Sequence, residues 1–218
     1  MTKLKRLYLL IAAVMLAGIS EMSAQMGSSA YNFLEIPTSS HVNALGGAAA
    51  AIIDDDISLI DQNPALLGSE IETTLGFNYM LYMGTSNFAG ARFGKAAGER
   101  GAWAAGIRYL DYGSMQGYES DGTPTNSFHP QDIAFEGTYS HDFTDRLRGG
   151  INLKMIYSHY EEYSAFAMAA DIGLSYYDDE HDLSLAVVLK NMGGQLKRFD
   201  QSYDRLPFDI QLSYMQGL

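Results

Sequence analysis

The sequence predicts an all-β fold, a transmembrane up-and-down antiparallel β-barrel with an N-terminal hatch or plug segment. Two observations lead there. Long segments alternate apolar and polar residues, with every in-strand charge on one parity. They follow a basic and then apolar start and about forty residues, 27–68, that show no alternation and read as neither signal nor strand.

At the N-terminus Lys3, Lys5 and Arg6 precede the apolar run 7–19, and the small residues Ser20, Ser23 and Ala24 follow. This is the pattern of a secretory signal peptide over 1–24, cleaved after Ala24. The apolar run is shorter than the roughly 20 residues a membrane-spanning helix needs. Removing Lys3, Lys5, Arg6 and Glu21 takes Lys+Arg from 14 to 11 and Asp+Glu from 26 to 25, and the net charge from −12 to −14. An acidic exported chain is a poor nucleic-acid binder. With Cys 0, a disulfide scaffold is excluded and a cysteine-linked lipid anchor is not expected.

Residues 25–70 are assigned to the hatch. Ala44-Leu45-Gly46-Gly47-Ala48 supplies small residues expected to let backbone pass close to backbone. In Asn63-Pro64-Ala65 the proline fixes a turn that cannot continue a helix. Both motifs are read as structural.

Residues 71–218 are assigned to barrel strands. Ile71, Thr73, Leu75, Phe77, Tyr79 and Leu81 form one nearly unbroken apolar face, longer than the five or six residues typical of soluble strands. The pattern recurs around Trp103–Tyr109, Ile133–Tyr139, Leu147–Tyr157, Phe166–Tyr176, Leu183–Leu189 and Phe208–Tyr214. The stretch 87–93 is less clear, because Ala89, Gly90 and Ala91 carry little periodic signal. Opposite parities hold Arg108, Glu136, Lys154, Asp171, Lys190 and Asp209, with Thr138, Ser140, Asn152, Ser175, Ser184, Gln211 and Ser213. A lipid-facing Arg or Lys at mid-membrane costs about 2–4 kcal/mol, so the charged parity is expected to face a wet or polar-networked interior. Tyrosines near the strand ends read as two aromatic girdles. Tight turns at 142–145 and 178–182 are expected on one side, and long polar loops at 112–130 and 193–206 on the other, the cell exterior.

No cofactor, metal or catalytic residue is assigned. Asp54-Asp55-Asp56 lacks the ligand and glycine positions of a calcium loop. His41, His129, His141, His159 and His181 share no ligand spacing. The acyl-enzyme motifs Gly-x-Ser-x-Gly, Ser-x-x-Lys and Lys-Thr-Gly are absent.

The order Ala44-Leu45-Gly46-Gly47-Ala48, Asp54-Asp55-Asp56, Asn63-Pro64-Ala65 resembles the hatch of the FadL-like outer-membrane barrels, the superfamily that includes PorV. Within it, the opening Gly27-Ser28-Ser29-Ala30-Tyr31-Asn32-Phe33-Leu34, the stretch from Val188 to Lys197 and the closing Leu206-Pro207-Phe208-Asp209-Ile210-Gln211-Leu212 resemble the PorQ branch of the type IX secretion system. The resemblance implies a barrel of about fourteen strands. About eight can be read here, and an eight-stranded interior barely admits side chains. The chain is therefore expected to be the N-terminal part of a larger barrel. The resemblance further implies location in the outer membrane, in contact with its lipid, and a non-catalytic anchor in a cell-surface attachment complex with PorU and PorV that holds a PorZ-like protein. The long loops, with Tyr118, Phe128, Lys197, Arg198, Phe199 and Tyr203, are the expected partner-binding surfaces. The alternatives are a FadL-like channel for fatty acids or other hydrophobic molecules, and a soluble sandwich used in adhesion.

Overall fold

The computed structural model describes residues 31–199 and 203–217. The signal segment 1–24 and the stretch Gly27 to Ala30 lie outside the described residues. The rest is mostly β.

Among the described residues there are ten strands: β1 (Thr73–Tyr82), β2 (Ser86–Ala96), β3 (Gly101–Asp111), β4 (Met115–Tyr118), β5 (Pro124–Phe128), β6 (Gln131–Thr144), β7 (Leu147–Tyr160), β8 (Tyr163–Asp178), β9 (Leu183–Lys197) and β10 (Asp209–Gln216). Eight form one antiparallel sheet in the order β1-β2-β3-β6-β7-β8-β9-β10, with β1 and β10 at its two ends. β4 and β5 form a separate hairpin in the β3–β6 connection, so 112–130 carries strand structure where a plain loop was expected. Similarly, the first five residues of the expected loop 193–206 are strand, because β9 runs on to Lys197.

The weakly patterned stretch 87–93 lies inside β2, which is continuous. Its alternation is blurred by what packs on it. A side chain at Gly90 would collide with the Asn78 amide, and one at Gly94 would come 2.6 Å from Ile57 of the hatch. Those inward positions are empty because neighbours fill them.

β6 through β9 are 14 to 16 residues long, and their alternation has a physical sense opposite to that of a soluble sandwich. On β7, Leu153 is 56% exposed. Its neighbour Lys154 is 1% exposed. Phe77, Phe135, Ile172 and Ile210 are exposed, whereas Arg108, Glu136, Asn152 and Asp171 are buried.

The buried side is covered by the hatch. It consists of a 3-10 turn (Asn32–Glu35), a short helix α1 (Ser40–Ala44) and further 3-10 turns (Ile57–Asp61 and Pro64–Leu66). Ser39 caps α1 by accepting from the His41 and Val42 amides at 3.1 and 3.4 Å. Gly46 and Gly47 end it in the left-handed region, φ 89° and 88°, with the Gly47 amide donating to the Val42 carbonyl and that of Gly46 to Asn43. This is a Schellman ending. No atom lies within 4 Å of where a Gly46 side chain would begin, so this glycine serves backbone conformation and not the close backbone passage expected from sequence.

The N-terminal segment and the large sheet share their apolar cores. Phe33, Leu34 and Ile36 pack with Phe88, Leu110 and Ile156. Ile57, Ile60 and Leu67 meet Ala102 and Ala104, while Ala50 and Ala51 meet Ala186 and Val188. The inner face is thus apolar where hatch side chains land and ionic between those patches.

Candidate functional site

The ionic part of the inner face is built by strand register. Pairing aligns Arg92, Gly106, Glu136 and Lys154 across β2, β3, β6 and β7. Glu136 accepts from both Arg92 and Arg108. Arg92 also pairs with Asp61 of the hatch, and the Thr38 hydroxyl donates to the same carboxylate. Arg108 reaches the Leu34 carbonyl at 3.4 Å. Burial alone would raise the Asp61 pKa, but Arg92 and Arg108 outweigh it and hold the carboxyl below the usual carboxylate range. Beside this cluster a cavity of about 170 Å³ is lined by Thr38, Asp61, Asn78, Arg92 and Arg108.

A second cluster centres on Lys154. Its ammonium lies 2.7 Å from Asp171 and donates to the Asn191 side-chain oxygen, also at 2.7 Å. Asn152 donates to Asp171 at 3.3 Å and accepts from the Thr138 hydroxyl at 3.0 Å. Asn191 sits at a bulge where Lys190 and Asn191 of β9 oppose Asp171 of β8, with φ 56°. Its amide donates to Asp171 at 2.7 Å and its side-chain nitrogen to the Pro207 carbonyl at 2.8 Å. One asparagine therefore ties the bulge, the lysine and the chain entering β10 together. The bulge also reverses parity, so that Gln195 turns inward and donates to the Tyr31 hydroxyl at 2.8 Å. Burial pushes that hydroxyl up to about 12.

These charges brace the N-terminal segment against the sheet. Breaking a buried pair by removing one partner costs about 3–5 kcal/mol, because the remaining charge is stranded. The carboxylates Asp61, Glu136 and Asp171 are matched by Arg92, Arg108 and Lys154.

Asn63-Pro64-Ala65 docks the hatch more tightly still. Asn63 is fully buried; its oxygen accepts from the Ala65 amide and its nitrogen donates to the Ala50 carbonyl, both at 2.9 Å. The motif lies on Gly150 and Gly173, a cross-strand pair of β7 and β8. A side chain at Gly150 would strike the Pro64 backbone, and one at Gly173 the Asn63 oxygen.

The opposite candidate surface is the long-connection end. Tyr118 on β4 and Tyr203 are 66% and 63% exposed, and Arg198 stacks 5.5 Å over the Tyr203 ring. Phe128, at the end of β5, is half-buried. Lys197 donates to the Ser164 hydroxyl at 2.6 Å. Phe199 is placed differently: it stacks on Tyr31 at 6.4 Å and meets Tyr160 edge-on at 5.2 Å. It belongs to an aromatic cap over the hatch, beside Tyr112 and Tyr160, whose hydroxyls donate to Asp132 at 2.6 and 2.8 Å.

Asp56 of the acidic triplet caps the turn Ile57–Asp61 through the Ser58 amide at 2.9 Å. Among the described residues, Asp178, Glu180 and His181 are the acidic and histidine groups near enough to share a cation, but Arg146 lies 3.2 Å from both carboxylates. No protein-family model matches the chain, and no curated protein matches it.

Proposed function

We propose that this chain is the wall and hatch of an outer-membrane β-barrel, one that serves protein secretion as a non-catalytic anchor. One observation carries the membrane part: the large sheet exposes its apolar face and buries its charged one. In water that arrangement is unfavourable along every strand; in a bilayer it is what wall strands require. Girdle and band dimensions support it. The outward residues Tyr79, Ala89, Tyr109, Ile133, Tyr157 and Phe166 fall in one cross-strand row. Phe166 and Tyr176 are ten residues apart on β8, which at about 3.4 Å per residue and a tilt of about 40° spans roughly 25 Å, the height of an outer-membrane apolar band.

The secretion part rests on the resemblance to the PorQ branch and on the exposed end carrying Tyr118, Arg198 and Tyr203. In this reading the hatch seals the lumen and the exposed end holds a PorZ-like protein of the attachment complex, whose partners PorU and PorV supply the chemistry. Tyr118→Ala combined with Tyr203→Ala is expected to release the PorZ-like protein from outer membranes and leave cargo unattached, with uptake of long-chain fatty acids unchanged. A retained partner with reduced uptake would favour the channel.

A specific feature speaks for that second reading, a channel for hydrophobic molecules. β10 begins only opposite Lys190, and between the C-terminal part of β9 and residues 203–208 lies a cavity of about 600 Å³, bounded in part by Met192, Gly194, Leu206 and Phe208. The paired charges and hatch filling the interior make the anchor the better reading.

A further inference from the structure

The outward face carries an open groove toward the tight-turn end. Its volume is about 820 Å³, within the 300–1,000 Å³ or so of ordinary ligand pockets. Tyr139, His141 and Phe143 of β6 form one wall, Leu174 and Val187 the other, and Gly149 the floor. The floor is only backbone thick, since Gly150 and Gly173 also reach it while their inner sides carry Asn63 and Pro64. The hatch motif thus fixes the groove from behind. Phe143 leans over the floor, where a Gly149 side chain would begin 2.6 Å from its ring.

The rim beside this groove has a definite charge arrangement. The Asp142 amide donates to the Arg100 carbonyl at 2.8 Å, holding Arg100 next to the His141 wall. The Arg100 guanidinium lies 4.0 Å from Asp145, with side chains 61% and 98% exposed. The neighbouring cations are committed elsewhere: Arg148 to Asp142 and Glu70, Arg146 to Asp178 and Glu180. The rim therefore places the exposed Arg100 beside the exposed Asp145, with Lys95, the cross-strand partner of Trp103, exposed further along the same outward face.

We propose that the groove is a binding site for a single zwitterionic, amine-bearing phospholipid. One acyl chain lies on Gly149 between the aromatic and aliphatic walls. The phosphate is taken by Arg100, and the primary ammonium donates to Asp145. An anionic headgroup would satisfy Arg100 but leave Asp145 beside it without a cationic partner. The proposal rests on the outer-membrane reading, because only then is this face in lipid.

Trp103, the single tryptophan, is the cross-strand partner of Tyr139 and sits on the same outward face, so its fluorescence reports on the groove. The full chain is reconstituted in phosphatidylcholine vesicles containing a minority of brominated phosphatidylethanolamine or, separately, brominated phosphatidylglycerol. The ethanolamine lipid is expected to quench Trp103 roughly twofold more at equal bromine. Asp145→Asn and Phe143→Ala, tested singly, should each abolish that difference while leaving quenching by bulk lipid. Equal quenching by both lipids in the parent protein, or a preference that survives both substitutions, overturns the site and leaves the membrane reading standing. No quenching by either lipid overturns the membrane reading and the site with it.

Discussion

On one strand, Leu153 and Lys154 are covalent neighbours with opposite fates. The outer face is a largely apolar surface with few specific contacts within the chain, and flat except for the groove on Gly149. The inner face is a set of individually matched partners: Glu136 between two arginines, Lys154 on Asp171 and Asn191, glycines under Asn63 and Pro64. Side chains on the outer face need only be apolar and of roughly the right size. On the inner face each must fit one neighbour, because a mismatch there strands a charge or displaces the hatch. The two faces should consequently respond differently to the same kind of change.

The largest expected difference lies between Glu136 and its neighbour Phe135. Glu136→Ala leaves Arg92 and Arg108 buried without their shared carboxylate and should cost about 3–5 kcal/mol. Phe135→Ala, facing outward, should cost clearly less. Urea midpoints read by Trp103 fluorescence compare them, and equal losses would break the distinction.

Next in size is a charge placed on the outer face. Leu153→Arg should cost about 2–4 kcal/mol at mid-membrane and block assembly, whereas Leu153→Phe should assemble normally. Heat-modifiable migration of membrane fractions checks both. If the arginine variant assembles as well as the phenylalanine one, the outer face is not in lipid.

A pair of glycines gives a finer test. Gly173→Ala pushes a methyl into the Asn63 oxygen and should cost about 1–3 kcal/mol, as overpacking does. Gly137→Ala, with no atom within 4 Å of the added carbon, should be nearly silent. Protease cleavage within the hatch distinguishes them, rising only for Gly173→Ala.

The smallest expected effect is one of pH. Asp61 has a depressed pKa in the folded chain, so its contribution is complete above the unfolded value of about 3.9 and fades as pH falls below that toward the folded value. Acid should loosen the hatch, read as increased pepsin cleavage near residues 54–62. Asp61→Asn should flatten that part of the profile.

Much of the outer face was legible in the sequence, because alternation is a property of each strand alone. The parity that keeps Arg108, Glu136, Lys154 and Asp171 together needs no tertiary information beyond the rule that charges avoid lipid. The inner partners were not legible. Arg92 meets Asp61 across 31 positions of sequence, and β2 hid its parity because Gly90 and Gly94 are emptied by Asn78 and Ile57. Nothing in the alternation singled out Asn191, which falls between the strand pattern ending at Leu189 and the loop expected from 193, yet it makes the bulge that turns Gln195 inward. The seats of Asn63 and Pro64, Gly150 and Gly173, carried one usable signal, a glycine inside a strand, which marks close backbone approach. Phe199 shows the limit of composition: an aromatic in a polar connection reads as a binding anchor, but here it packs on Tyr31.

In the proposed barrel the apolar parity faces lipid and the charged parity faces the hatch. The chain has no cysteine, so single cysteines can be placed along β7 at Ile151, Asn152, Leu153, Lys154, Met155 and Ile156 without background. After membrane assembly each is given a nitroxide label, and its collisions with oxygen, which partitions into lipid, and with a water-soluble nickel complex are measured. High oxygen and low nickel access are expected at 151, 153 and 155, and low access to both at 152, 154 and 156. High nickel access at 151, 153 and 155, or no period of two, would contradict it.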